Sequence, residues 1–152
     1  MIDLFEELTA ITGVLNSAAI PHALVGGLAY SVWVEVRGTE DIDLLIAPED
    51  WERTQQLMIP LGFEHLAAPM DFDLIMRRLT KMSDGDALSL DFLFADGDLR
   101  RGLDERVAIE HAGQVYFVAP IEVIIDLKRR RLSSQDRVDI EGLEKRLGEG
   151  ES

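Results

Sequence analysis

The segment Ala87-Leu-Ser-Leu-Asp-Phe-Leu-Phe-Ala95 is almost continuously apolar, and runs of this kind mark strands covered on both faces. It nevertheless carries an acid, Asp91, at its centre. An ionised carboxylate in such a strand is costly to bury unless it is paired or binds a metal. The run therefore demands two covering layers and a positive partner for Asp91. An arginine on a neighbouring strand, such as Arg77 or Arg78, would serve, and so would a divalent cation.

A second strand raises the same problem. In GTEDIDLLIA, residues 38–47, Asp41 and Asp43 head an apolar run. Side chains two apart on a strand share a face, so both acids point the same way as Leu45. Acid–x–acid is a weak signal by itself, because turns and solvent-facing strands produce it often. If the strand over 88–95 lies beside the one over 41–46, however, three carboxylates meet on one patch and need neutralising. Mg²⁺ suits such a patch, since it takes oxygen ligands from a few carboxylates and completes its shell with water and substrate phosphates.

Upstream, the apolar strand His22–Val25 runs into Gly26-Gly27, and a helix is expected to begin at Gly27. A glycine pair there lets backbone N–H groups approach a phosphate, and a helix N-terminus favours the anion. A tight strand-to-helix turn would use the same pair. Arg37 is the first cation of the chain and lies four residues before Asp41. It would either hold a phosphate oxygen or pair with Asp41 or Asp43.

The remaining pattern frames these residues. Leu4, Phe5, Leu8, Ile11 and Leu15 predict a helix over 2–18, and the acidic start of EDWERTQQLMIPLG predicts another, ending near Pro60 and Gly62. Residues 63–66, 73–80 and 88–95 read as strands, the last two joined by a hairpin turn at Ser83-Asp-Gly-Asp86; 105–110 and 114–118 read as a further hairpin. Pro120 opens a helix ending in Lys128-Arg-Arg-Arg131, and Ser133 or Ser134 caps a last one. The expected architecture is α+β, with α/β character: a mixed β-sheet with helices packed mainly on one face. Residues 1–148 make a single domain and 149–152 a tail.

Composition narrows the function classes. Asp and Glu total 29 against 15 Lys and Arg, a formal charge of −14, so global attraction to nucleic acid is not expected. Seven of the 15 basic residues fall after residue 120, so any such contact would be local. No apolar stretch approaches the ~20 residues that cross a bilayer, and MIDLFEELTA lacks the basic start of a signal peptide. With no cysteine, thiolate metal sites and disulfides are excluded, and a cytoplasmic location is the expectation.

Taken together, Val25-Gly26-Gly27, Asp41-Ile42-Asp43 and Asp91 resemble the signature of nucleotidyltransferases of the DNA polymerase β-like superfamily. VGGLAYSVWVEVRGTEDIDLLI is similar to the small bacterial branch that includes AbiEii-type toxins and lincosamide-type nucleotidyltransferases, and LKRRRLSSQDRVDIEGL is similar to that branch's C-terminal helices. The resemblance covers about residues 20–145 and implies a polymerase β-like palm. Because the sequence ends soon after those helices, the acceptor-binding domain of larger relatives is not expected here.

The resemblance implies a Mg²⁺-dependent enzyme, Mn²⁺ being an alternative, that transfers an NMP from an NTP such as ATP to a hydroxyl of RNA, protein or a small molecule. It implies that Asp41 and Asp43 hold the metal that bridges the phosphates, and that Asp91 shares a second metal and acts as general base. Gly26 and Gly27 would cradle the triphosphate, with Arg37 and Lys128 neutralising it. Lys128 equally fits a solvated helix end that complements the helix dipole. A toxin–antitoxin setting, with a toxin or antitoxin as partner, is compatible with the branch. The rival expectation is a catalytically inactive protein of the same fold, acting as a binding partner or antitoxin.

Overall fold

The structure, a computed structural model, describes residues 2–33, 41–64, 70–71, 75–111, 113–131 and 134–150. Helix α1 (Leu4–Ser17) starts where the Asp3 carboxylate accepts hydrogen bonds from the backbone N–H groups of Phe5 and Glu6, at 3.0 and 3.1 Å. Such a cap stabilises a helix by about 1 kcal/mol. Then come β1 (His22–Val25), α2 (Gly26–Trp33), β2 (Asp41–Ile46) and α3 (Trp51–Met58), the last flanked by 3-10 turns at Pro48–Asp50 and Ile59–Leu61. A short β3 (Met70–Asp71) precedes the long hairpin of β4 (Ile75–Ser83) and β5 (Asp86–Phe94). A 3-10 turn at Gly97–Arg100 leads into α4 (Arg101–Asp104), the hairpin β6 (Val107–His111) and β7 (Gln114–Val118), and helices α5 (Ile121–Arg131) and α6 (Ser134–Gly150).

Among the described residues, seven strands form one mixed sheet in the order β3-β4-β5-β2-β1-β7-β6. β2 lies near its centre, antiparallel to β1 and parallel to β5, and β1 runs parallel to β7. The neighbouring placement of β2 and β5 is the one on which the convergence of acids depended.

Register assigns every side chain of the central strands to a face. Ile42, Leu44 and Ile46 of β2 align with Leu90, Phe92 and Phe94 of β5, and beyond them with Leu79 and Arg77 of β4. Helix α3 packs on this face, with the Trp51 ring centroid 5.8 Å from Phe92 and 6.1 Å from Phe94. Helix α1 is tied to it where Lys81 donates to Glu7 at 2.7 Å.

The opposite face carries Asp41, Asp43 and Leu45 in line with Ser89, Asp91 and Leu93, and then with Thr80, Arg78 and Met76. Helix α4 covers the Leu45 end closely: a Cβ on Gly102 would fall 2.2 Å from Leu45 Cδ2 and 3.2 Å from Val123 Cγ1 of α5. Leu44, Leu45 and Ile46 are therefore all fully buried, each stabilising the fold by about 2 kcal/mol. Leu45 thus shares a face with the two acids but lies under a different roof.

The Asp84-Gly85 turn of the β4–β5 hairpin has φ of 49° and 85°, the left-handed pair that a two-residue hairpin turn requires. In the expected strand over 63–66, Glu64 makes only an isolated bridge to Thr80, and 65–66 lie outside the described residues, as do 73–74 at the start of the next strand. Helix α4 has no counterpart among the elements expected from the sequence. Its signal is the pair Leu99 and Leu103, four apart and both buried.

Candidate active site

One row of residues crosses four strands. Arg78 of β4 stands opposite Asp91 of β5, Asp91 opposite Asp43 of β2, and Asp43 opposite Val25 of β1. Asp41, two residues before Asp43, adds a second half-buried carboxylate on the same face. Gly26 follows Val25 directly, so the glycine turn and the acid pair meet at one edge of the row.

Asp91 is 4% exposed and its charge is met by Arg78. Arg78 Nε donates to Asp91 Oδ1 at 2.7 Å and Nη2 to Oδ2 at 3.0 Å, a two-pronged pairing of guanidinium and carboxylate. The hydrogen-bonded Asp91 carboxylate holds the Arg78 guanidinium above its ordinary pKa against the opposing effect of burial, and the charges of Asp91, Asp41 and Asp43 add to it. Arg77 lies on the other face, 5.4 Å from the Phe94 ring centroid, and so takes no part. Of the two neutralisers open to Asp91, the structure shows the arginine. Strand alternation puts Arg77 and Arg78 on opposite faces, and the register of β4 on β5 gives Arg78 the face of Asp91.

Gly26 has φ of +72°, and a Cβ built on it would lie 2.1 Å from Asp43 Oδ2. Only glycine allows both the left-handed turn and the carboxylate lying against its backbone. Gly27 is half-buried in the first turn of α2, which packs against β1, β2 and α5. Lys128 lies on α5 and is 4% exposed. It sits within the helical layer rather than on a solvated helix end. Arg37 lies outside the described residues.

Among the described residues, no three carboxylate or imidazole groups are arranged to hold a metal ion by themselves. Asp91 faces Arg78 with both oxygens, and Asp41 and Asp43 stand on the same face of the neighbouring strand as a carboxylate pair. Such a pair fits Mg²⁺, an ion bound by one or two carboxylates with the remaining positions filled by water and phosphate oxygens. The left-handed turn at Gly26 lets the Asp43 carboxylate lie directly against the backbone.

Solved structures share this architecture. The lincosamide antibiotic adenylyltransferase LnuA, with lincomycin bound, superposes with a TM-score of 0.64 at 14% identity, over 91% of this chain and 95% of that one. ANT(2″)-Ia, in complex with adenylyl-2″-tobramycin, gives 0.62 at 16% identity over 95% of this chain and 89% of its own. TM1012 of Thermotoga maritima gives 0.64 at 15% over 95% and 92%. No protein-family model matches the chain, and neither does any curated protein sequence. At these identities the likeness establishes the fold, that of the nucleotidyltransferases, over nearly the whole chain.

Proposed function

We infer that the protein is a nucleotidyltransferase that moves an NMP, most simply AMP from ATP, onto a hydroxyl of a small molecule. The observation that carries this reading is the seating of Asp43 against the backbone of Gly26, with Asp41 on the same face. That contact joins a turn able to receive phosphate to a carboxylate pair able to hold a divalent cation, Mg²⁺ or Mn²⁺. Bound there, the cation would neutralise the triphosphate and withdraw charge from its α-phosphorus.

The chain's own residues supply the rest. Gly26 and Gly27 orient the phosphates through backbone N–H groups. Arg37 and Lys128 remain candidates for phosphate charge, Lys128 by way of the contact between α5 and α2. In the transfer, the acceptor oxygen forms a bond to the α-phosphorus, the bond to the bridging oxygen breaks, and pyrophosphate leaves. Asp91 takes the acceptor's proton. Such transfers need mainly positioning and charge stabilisation, both of which a rigid sheet edge provides.

A small acceptor is favoured over RNA because a net charge of −14 repels a polyanion. The neighbours act in the same sense, LnuA and ANT(2″)-Ia being bound to an antibiotic or its adenylylated form. A protein acceptor, cytoplasmic location and a toxin–antitoxin setting stay compatible with this chemistry.

A second reading has its own observation: with Arg78 engaging both oxygens of Asp91, the protein would be an inactive binding partner of the same fold. Labelled NTPs, Mg²⁺ and a panel of aminoglycoside, lincosamide and cell-extract acceptors separate the two. The enzyme transfers label and releases pyrophosphate, and the Asp41→Asn/Asp43→Asn variant does neither. Absence of transfer, together with no shift of melting temperature by NTP and Mg²⁺, would leave only the binding partner.

A further inference from the structure

The pairing of Arg78 with Asp91 bears on how this site loads, and the inference rests on the nucleotidyltransferase reading above. Both oxygens of Asp91 accept from one guanidinium, whose single charge faces three carboxylates in the same cluster. Side-chain exposure within the pair is unequal, 38% for Arg78 against 5% for Asp91. Asp91 is fixed in the sheet, whereas the guanidinium has a way out to solvent. Its flanking neighbours on the same face of β4, Met76 and Thr80, bring no charge that would hold it.

We propose that Arg78 is a resident counter-ion, a positioning residue that competes with the divalent cation for Asp91 and turns to the nucleotide phosphates when metal and nucleotide arrive together. An arginine fork is suited to both partners, because carboxylate and phosphate present the same two-oxygen edge. While paired, Arg78 keeps Asp91 neutralised and correctly aimed in the empty protein, and it makes loading by metal alone unfavourable. A triphosphate offers Arg78 a second anion, so its arrival frees Asp91 for the acceptor hydroxyl. Metal and nucleotide are then coupled through one side chain.

The test measures Mn²⁺ binding without nucleotide, by the loss of the free-ion paramagnetic resonance signal. Wild type, Arg78→Gln and Arg78→Lys are compared, and the affinity of each for an Mn²⁺ complex of a non-hydrolysable ATP analogue is measured beside it. Arg78→Gln is expected to bind Mn²⁺ about tenfold tighter than wild type, the scale of a lost charge-assisted hydrogen-bond pair. It is expected to bind the nucleotide complex more weakly. Arg78→Lys keeps the charge but loses the fork, so competition through the pair places its Mn²⁺ affinity between the other two. Unchanged Mn²⁺ affinity in Arg78→Gln overturns the proposal. So does an Arg78→Lys protein that matches wild type, for then only the field of the charge matters. If Arg78→Gln fails to fold with Asp91 unpaired, the lysine variant alone decides. Should wild type bind neither Mn²⁺ nor the nucleotide complex, the nucleotidyltransferase reading itself falls and takes this proposal with it. Binding of the complex by all three proteins at equal Mn²⁺ affinity removes the proposal alone.

Discussion

A methyl group on Gly26 would lie 2.1 Å from Oδ2 of Asp43. Two demands meet at that point, a backbone at φ of +72° and a carboxylate packed against it. Gly26→Ala strains the first and displaces the second. Left-handed strain of this kind costs about 1–3 kcal/mol, which a melting curve detects. The sharper expectation concerns the site: with Asp43 pushed aside, affinity for a Mg²⁺–nucleotide analogue falls at least tenfold. A variant that melts lower yet binds nucleotide as before would reduce Gly26 to a turn residue.

Gly13 provides the control. It lies inside α1, is exposed, and a Cβ there meets nothing within 4 Å. Gly13→Ala is expected to stabilise the protein by about 0.5–1 kcal/mol, because glycine loses more backbone entropy in a helix than alanine does. Nucleotide binding should not change. A destabilised Gly13→Ala protein would mean that the exposed side of α1 is engaged by something else.

What could be read before the structure divides along physical lines. The acids Asp41, Asp43 and Asp91 were legible because charge inside an apolar strand is expensive, and expense narrows the choice of explanation. Gly26 was legible as a turn, but its contact with Asp43 depends on the antiparallel register of β1 on β2, which no local pattern encodes. The same holds for the choice of Arg78 over Arg77, settled only once β4 pairs with β5 and places each arginine on its face. Helix α4 stayed hidden because its four residues contain a glycine retained for packing against Leu45, not for flexibility. Local signals name the costly residues; long-range pairing decides who compensates them.

Gly102 tests that last point. A Cβ there would meet Leu45 Cδ2 at 2.2 Å and Val123 Cγ1 at 3.2 Å, so Gly102→Ala overpacks the layer between α4 and β2. The expected cost is about 1–3 kcal/mol. Leu45→Ala alone should cost about 2–5 kcal/mol through the cavity it leaves. In the double variant the alanine methyl partly fills that cavity, so the combined loss should be smaller than the sum. Strict additivity in chemical denaturation would show that α4 moves away from the sheet instead of clashing with it.

His22 gives the protein an acid-sensitive point away from the carboxylate cluster. It opens β1, is 1% exposed, and its Nδ1 lies 3.0 Å from the Ile20 carbonyl oxygen. A carbonyl only accepts, so Nδ1 carries the proton and Nε2 is a bare acceptor. Nε2 is buried with no hydrogen-bond partner among the described residues. Burial holds the imidazole below its ordinary pKa of 6.5; the Ile20 hydrogen bond opposes this, and the charge of Arg106 adds to it. Both side chains flank Phe117, His22 edge-on at 5.9 Å and the Arg106 guanidinium 4.9 Å from the ring centroid. Below pH 6.5 the unfolded chain therefore binds a proton at His22 that the folded one resists. The contribution is complete above that pH and is lost as pH falls toward the lower folded value, by at most ~1.4 kcal/mol per pH unit. Denaturation free energies of wild type and His22→Leu between pH 8 and 5 check this. The leucine variant should show the shallower fall on the acid side, by close to one proton's slope. Parallel curves for the two proteins would show that His22 gains its proton in the fold without penalty.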